Sequence, residues 1–308
     1  MANIRDIKNR IVSVKNTKQI TNAMKMVAAS KLRKAQERIV NARPYADYID
    51  MMTRTVKFKN PNTDNPLLSA TGHQHINVIN DNGNNNEDGD IDSIADNSKK
   101  TALIVITADR GLCGSFNSNI IRAATKYLEK NNNVDLICIG KKGHDQLKKK
   151  TDRIKDKYIN FFNEMDFTLS RDISRQVLKL YLEKGYRRID VIYNEFKSAI
   201  QQNIIDRQLL PIAPIESDVI SETDFLYEPD EDTIINELGE KYVDVEIWRM
   251  LLESSAAEQG ARMTAMDNAT ENALELIDEL TLLHNRARQA SITTEIIEIA
   301  SGAEAISD

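Results

Sequence analysis

The sequence predicts an α/β protein in which an antiparallel coiled coil of the N- and C-terminal helices is joined to a Rossmann-like α/β domain. All six prolines fall between Pro44 and Pro229, and residues 1–43 contain neither proline nor glycine, so two helix-permitting ends flank a middle that turns often. Both ends carry apolar residues three and four apart, the spacing of a helix that buries a narrow stripe. Between them, short β-branched runs alternate with helix-like stretches, the pattern of strands joined by crossover helices.

The N-terminal end, expected to form a coiled-coil helix over 1–59, opens with Asn3 as a cap and Asp6 three residues on. Ile4, Ile7, Ile11 and Val14 make the stripe, Lys18 and Lys25 fall on the same seam, and Ala28, Leu32, Ala35 and Ile39 resume it. Residues 1–40 hold ten Lys/Arg and two Asp/Glu. Residues 60–100 follow as an Asn/Asp-rich stretch, 16 of 41 positions, with no aromatic residue; it cannot bury a core and is expected to be a flexible loop.

The α/β domain is expected over 101–215. Leu103–Ile106, Leu136–Ile139 and Arg188–Phe196 read as strands, residues 117–130 and 170–184 as helices, and the alternation implies a parallel sheet. A connecting foot segment spans 216–240. The C-terminal coiled-coil helix, 241–308, has the cleaner seam: Met266, Ala269, Ala273, Leu276, Leu280, Leu283, Ala287 and Ala290. Gly260 is a candidate interruption. This end holds five Lys/Arg and thirteen Asp/Glu, so the two ends carry equal and opposite charge, and a chain that folds back pairs them antiparallel. The alternative is that each helix packs separately on the middle domain.

Composition excludes several classes of function. The 308 residues carry a net charge of −6, with 29% charged and only 6% aromatic residues, which suits long exposed helices better than a dense β core. The apolar run at Leu103–Ile106 falls far short of the ~18 residues that a membrane helix needs. The start has no apolar leader and Asp6 fits a transit peptide badly, so the chain is expected to act on the cytoplasmic side. Cys113 and Cys138 cannot make a disulfide framework, and His73, His75, His144 and His284 have no zinc-site spacing.

The most enzyme-like segment is the loop Asp109–Asn117, because loops at the carboxyl ends of parallel strands are where α/β proteins bind ligands. Its Gly111-x-x-Gly114 is neither a dinucleotide fingerprint nor a P-loop, and the glycines suit a tight strand-to-helix turn. Cys113 near a helix start is a conceivable nucleophile, but no base stands nearby in sequence; a packed small residue is the competing reading, and Cys138 reads as core. The basic N-terminal helix suits nucleic acid or an anionic membrane, yet it lacks interleaved aromatics and the acidic C-terminal helix matches its charge. Met24 and Met26 read as core fillers. Periodicity alone thus yields no catalytic, cofactor-binding or metal-binding residue.

Three stretches carry a resemblance: Ile11–Ala35 (IVSVKNTKQITNAMKMVAASKLRKA), Asp109–Phe116 (DRGLCGSF) and Ile292–Ala305 (ITTEIIEIASGAEA), the last preceded by Asn285–Ser291 (NRARQAS). Weaker matches lie at Leu226–Asp230 (LYEPD) and Gln208–Pro211 (QLLP). Together they resemble the gamma subunit of F1 ATP synthase, of bacterial type, over essentially the whole chain. The resemblance implies a rotor shaft in the central stalk, non-catalytic and without cofactor, that couples proton-driven turning of the c-subunit ring to conformational cycling of the catalytic beta subunits. Its implied partners are three alpha and three beta subunits, the epsilon subunit and the c ring, with no nucleic acid. Its implied place is peripheral, on the cytoplasmic face of the bacterial plasma membrane, with membrane association only through the complex. Carried over by motif, Lys18, Met24 and Lys25 face the beta levers, and Arg288, Gln289 and Thr293 meet beta loops inside the ring. Ile292, Ile296, Ile299 and Ala303 form an apolar tip, while Tyr227 and Glu228 face epsilon and the c ring. The Asn-rich stretch looks longer than is usual for bacterial members, and the cysteines do not match the redox pair of the chloroplast type.

Overall fold

The computed structural model describes residues 4–60, 65–68, 76–79, 100–131, 133–162, 165–199, 201–213, 227–228 and 230–307. The chain divides into two compact units, one of residues 1–28 and 263–308 and the other of residues 29–262. Helices α1 (Ile4–Lys59) and α5 (Glu231–Ser307) contribute to both.

The first unit is a helical hairpin. Thr21 Oγ1 lies 2.7 Å from Thr270 Oγ1, and Lys25 Nζ donates to Asp267 Oδ1 at 2.5 Å. Rising numbers on α1 meet falling numbers on α5, so the helices run antiparallel. Ile7, Thr21 and Ala28 from α1 and Met266, Ala273 and Leu280 from α5 are buried along the seam. This register exhausts α1 opposite about Ala287, because α1 begins at Ile4. Ala290, expected on the buried seam, lies past that point and is exposed, and Leu283, opposite the first turns of α1, is exposed as well.

The second unit is built on a six-stranded sheet in the order β1-β6-β5-β2-β3-β4. Its strands are β1 (Ile76–Ile79), β2 (Thr101–Ile106), β3 (Val134–Ile139), β4 (Ile154–Tyr158), β5 (Arg188–Phe196) and β6 (Gln202–Leu210). Helices α2 (Phe116–Lys130), α3 (Lys141–Leu147) and α4 (Phe167–Glu183) connect the parallel strands. Central β2 is buried at all six positions, which is why it reads as a continuous apolar run rather than an alternating one. On one face Leu103, Val105, Leu136, Cys138 and Ile192 pack with Phe116 and Ile120 of α2, Leu147 of α3 and Ala257 of α5. Helix α4 buries Ile173, Val177 and Leu180, and its first residue, Phe167, meets Trp248 of α5 edge-to-face at 5.9 Å.

The sheet is mixed rather than parallel. Only residues 197–201 separate β5 from β6, too few for a crossover, so β6 runs antiparallel to β5. Strand β1 pairs antiparallel with β6 inside the stretch expected to be a loop; a four-residue edge strand leaves little apolar signal amid Asn and Asp. Strand β4 also escaped the sequence, because only Ile154 and Tyr158 of its five residues are apolar. The foot segment expected over 216–240 is shortened, since α5 begins at Glu231, where Asp230 accepts from the Thr233 amide as a cap. Asn3 and most of 60–100 lie outside the described residues.

Helix α1 runs through Pro44. Proline removes one N–H and frees the carbonyl of Val40. Both residues are exposed, so the freed carbonyl is not buried in the core, and the helix continues. Gly260 does not interrupt α5 either. A Cβ there would come within 3.1 Å of the Ala199 carbonyl oxygen, so glycine allows α5 to approach the end of β5 closely.

Candidate functional site

The loop after β2 spends its polar groups on its own scaffold. The Asp109 carboxylate accepts from the amides of Lys141 and Asn160, both at 2.9 Å, tying together the turns that follow β2, β3 and β4. Asn117 accepts from the Ala108 amide at 2.9 Å and donates to the Arg110 carbonyl at 3.3 Å. Leu112 (φ 61°) and Gly114 (φ 56°) take the left-handed region that the tight turn requires. Cys113 is buried, and burial pushes its thiol up against partial opposition from Arg262, the reverse of what a nucleophile needs. Cys138 is pushed up to about 12 by burial. A groove of about 730 Å³ between α2 and α3 has Arg122, Lys126, Lys142 and Lys150 on its walls, and Glu129 is the only carboxylate among its described lining residues. Among the described residues no cluster of His, Cys, Asp or Glu could hold a metal ion, and no helix is long and apolar enough to cross a membrane.

The second unit holds its segments of α1 and α5 by ionic groups, several of them buried. Arg207 on β6 donates to Glu246 of α5 at 2.8 Å and to Asp50 of α1 at 3.1 Å. Arg249 reaches Asp47 at 3.2 Å. Glu253 of α5, its side chain 3% exposed, accepts from Arg43 of α1 at 2.7 Å and from the amide of Phe196, the last residue of β5, at 3.1 Å. Arg262 pairs with Glu258 at 2.7 Å and donates to the Gly111 carbonyl at 3.3 Å. Burial pushes the Glu258 carboxyl up, with Arg262 opposing.

In the hairpin unit, Lys18 and Met24 are half-buried, and Lys25 is paired with Asp267. Met26, read as a core filler, is 64% exposed, because it falls outside the seam that Thr21 and Ala28 mark. Ile20 and Val27, which the sequence reading passed over, are also exposed, one helical heptad apart. Beyond Ala287 the helix surface changes character. Arg288, Gln289 and Thr293 are exposed, and so are Ile292, Ile296, Ile297 and Ile299, the last at 73%. The side chain of Ala303 lies outside the described residues. In the second unit Tyr227 is half-buried with its hydroxyl 3.4 Å from Asn60 Nδ2, and Glu228 is exposed.

Helices held to an α/β body by buried charges, together with a helix end that exposes isoleucines, define a structural subunit of a larger assembly, one that offers helix surfaces to partners. A family profile described as ATP synthase matches residues 3–306. The chain is 44% identical to the ATP synthase gamma chain of Prosthecochloris aestuarii, covering 99% of both. It is 42% identical to that of Salinibacter ruber, covering 100% of this chain and 99% of that one. Among solved structures it resembles a chain of the Tetrahymena thermophila mitochondrial ATP synthase central stalk and c ring, with 28% identity and a TM-score of 0.59 over 81% of this chain and 99% of that chain. A rotor chain from Euglena gracilis mitochondrial ATP synthase shares the fold, with a TM-score of 0.64 at 20% identity over 94% of this chain and 98% of that one. The chain belongs to the ATP synthase gamma chain family.

Proposed function

We propose that this chain is the non-catalytic rotor shaft of an F1Fo ATP synthase, peripheral on the cytoplasmic face of a bacterial plasma membrane and bound there only through the complex. The hairpin unit stands inside a ring of three alpha and three beta subunits, and the body meets epsilon and the c ring through Tyr227 and Glu228. The observation that carries this reading is the row Ile292, Ile296, Ile297 and Ile299, exposed on a helix that has outrun its partner. Free in water such a surface is unfavourable, at roughly 25 cal/mol per Å² of apolar area. A collar of other subunits covers it, and apolar contacts, which lack directional bonds, allow it to turn there.

An asymmetric shaft in a three-fold ring presents a different face to each of three identical sites. It biases each site through contacts that differ between site conformations, and turning permutes the biases. Lys18, Met24 and exposed Ile20 and Val27 on α1, with Arg288, Gln289 and Thr293 on α5, are the faces offered to the beta subunits. Lys25 contributes there only what its pairing with Asp267 leaves free.

Reconstitution tests the reading. Purified alpha and beta subunits gain stoichiometric assembly and strongly stimulated ATP hydrolysis on addition of the chain, which alone hydrolyses nothing. A folded chain that neither assembles nor stimulates removes the reading. Alanine at both Arg288 and Gln289 lowers the stimulation; unchanged coupling and assembly would withdraw those two contacts.

A further inference from the structure

The winding of the sheet has a switch point between β2 and β5. The chain leaves β2 through α2 and α3 towards β3 and β4, then returns through α4 to β5 on the other side of β2. The crevice at the carboxyl ends of two such strands is where open α/β sheets take their ligands. Here a segment of α5 fills it. Ala256 and Ala257 are fully buried, and Ala257 packs among Leu103, Val105 and Ile192. Gly260 sits against Ala199 in the turn after β5, and Arg262 donates to Gly111 in the turn after β2.

We propose that this crevice is the seat in which the α/β body grips its own long helix against twisting, and that Glu253 is the positioning residue that keys it. The proposal rests on the shaft reading above. One oxygen of Glu253 accepts two N–H groups of Arg43, at 3.0 and 2.7 Å, and the other accepts the Phe196 amide. Arg43 also donates to the Phe196 carbonyl at 3.4 Å. A single carboxylate thus joins α1, α5 and the end of β5 through directional bonds. An apolar contact lets a helix roll about its axis. The side chain of Glu253 cannot roll without breaking its bonds to Arg43 and Phe196 together, and its own carboxylate is buried, where an unpaired charge is costly. The strand ends that hold a small ligand in other α/β proteins hold a helix here, and the load they bear is torque.

The test uses the chain assembled with alpha and beta subunits, the ring fixed to a surface and a bead on the exposed position Lys149→Cys. Cys113 and Cys138 are buried and stay unlabelled. Torsional stiffness is read from the thermal fluctuations of the bead. Glu253→Ala lowers the stiffness about twofold or more, as expected for a seat that loses the one carboxylate joining both helices to the end of β5, and Glu253→Gln, which keeps the shape, lowers it less. Unaltered stiffness in Glu253→Ala, in a complex that assembles and rotates, overturns the seat. A parent complex that assembles but does not rotate overturns the shaft reading itself.

Discussion

At the scale of single residues, the polar clamps between the long helices and the sheet centre on buried charges such as Glu253 and Arg207, and their partners are remote in sequence. Glu253, Arg43 and Phe196 meet across separations of 210 and 57 residues. Nothing in a linear pattern distinguishes Glu253 among 47 acidic residues. Arg207 is equally hidden, because a lone arginine in a strand reads as an edge or a solvated face until Glu246, Asp50 and the Tyr242 hydroxyl surround it. The aliphatic seam was legible because its spacing is local. The polar clamps were not, because folding assembles them. Glu253→Ala leaves the Phe196 amide without its acceptor and Arg43 without its carboxylate. It should lower the stability of the chain by about 2 kcal/mol, a value moderated by the solvent that reaches Arg43. Equilibrium urea denaturation measures it, and a change within error would show that the pair contributes geometry without stability.

At the scale of elements, glycines and caps decide where strands and helices stop. Gly140, between β3 and α3, has φ 97°, and a Cβ there would fall 2.0 Å from the Thr107 carbonyl oxygen. The sequence showed a turn at that place but not its reason, which is the packing of two adjacent strand ends. Gly140→Ala must shift backbone against backbone, and we expect a loss of about 3 kcal/mol or more, read in the same urea experiment. A loss below 1 kcal/mol would mean that the turn relaxes freely.

The start of α5 has a different control. The hydrogen bonds that Asp230 accepts from Thr233 hold its carboxyl below the ordinary 3.8. A carboxyl depressed on folding contributes stability above its unfolded value and loses that contribution as pH falls through its folded value. The amide of Thr233 should therefore lose hydrogen-exchange protection on acidification below about pH 3.8, and Asp230→Ala should abolish the step. A step that persists in the variant would assign it to another group. Strand β1 marks the limit of legibility at this scale. Four residues in an Asn/Asp-rich stretch become a strand because β6 offers an unpaired edge, and an edge is a tertiary fact.

At the scale of the whole molecule, the sequence exposed the plan through its ends. Opposite charges and matching stripes at residues 1–40 and 241–308 pointed to an antiparallel pair, and pairs such as Lys25 with Asp267 realise it. What it could not show was how far the pairing extends, since the C-terminal seam continues at 3/4 spacing past the place where α1 ends. Residues 288–301, exposed except for half-buried Ser291, are consequently almost detached from the energetics of the chain. Ending the chain at Ala287 should leave its urea stability within about 0.5 kcal/mol, as for exposed surface changes, while lowering its binding of a hydrophobic dye such as ANS. A larger loss of stability would reveal a partner for this segment within the chain.

The helix that outruns its partner also bears on how such a chain is made. Twenty residues of single helix with four bare isoleucines are marginal in water. A chain synthesised in excess of its ring subunits would keep that surface uncovered, an invitation to chaperones, proteases and aggregation. On the shaft reading, the apolar end that permits turning inside the complex also marks an orphan chain for disposal. Balanced production of the subunits then becomes a solubility requirement written into the last turns of one helix.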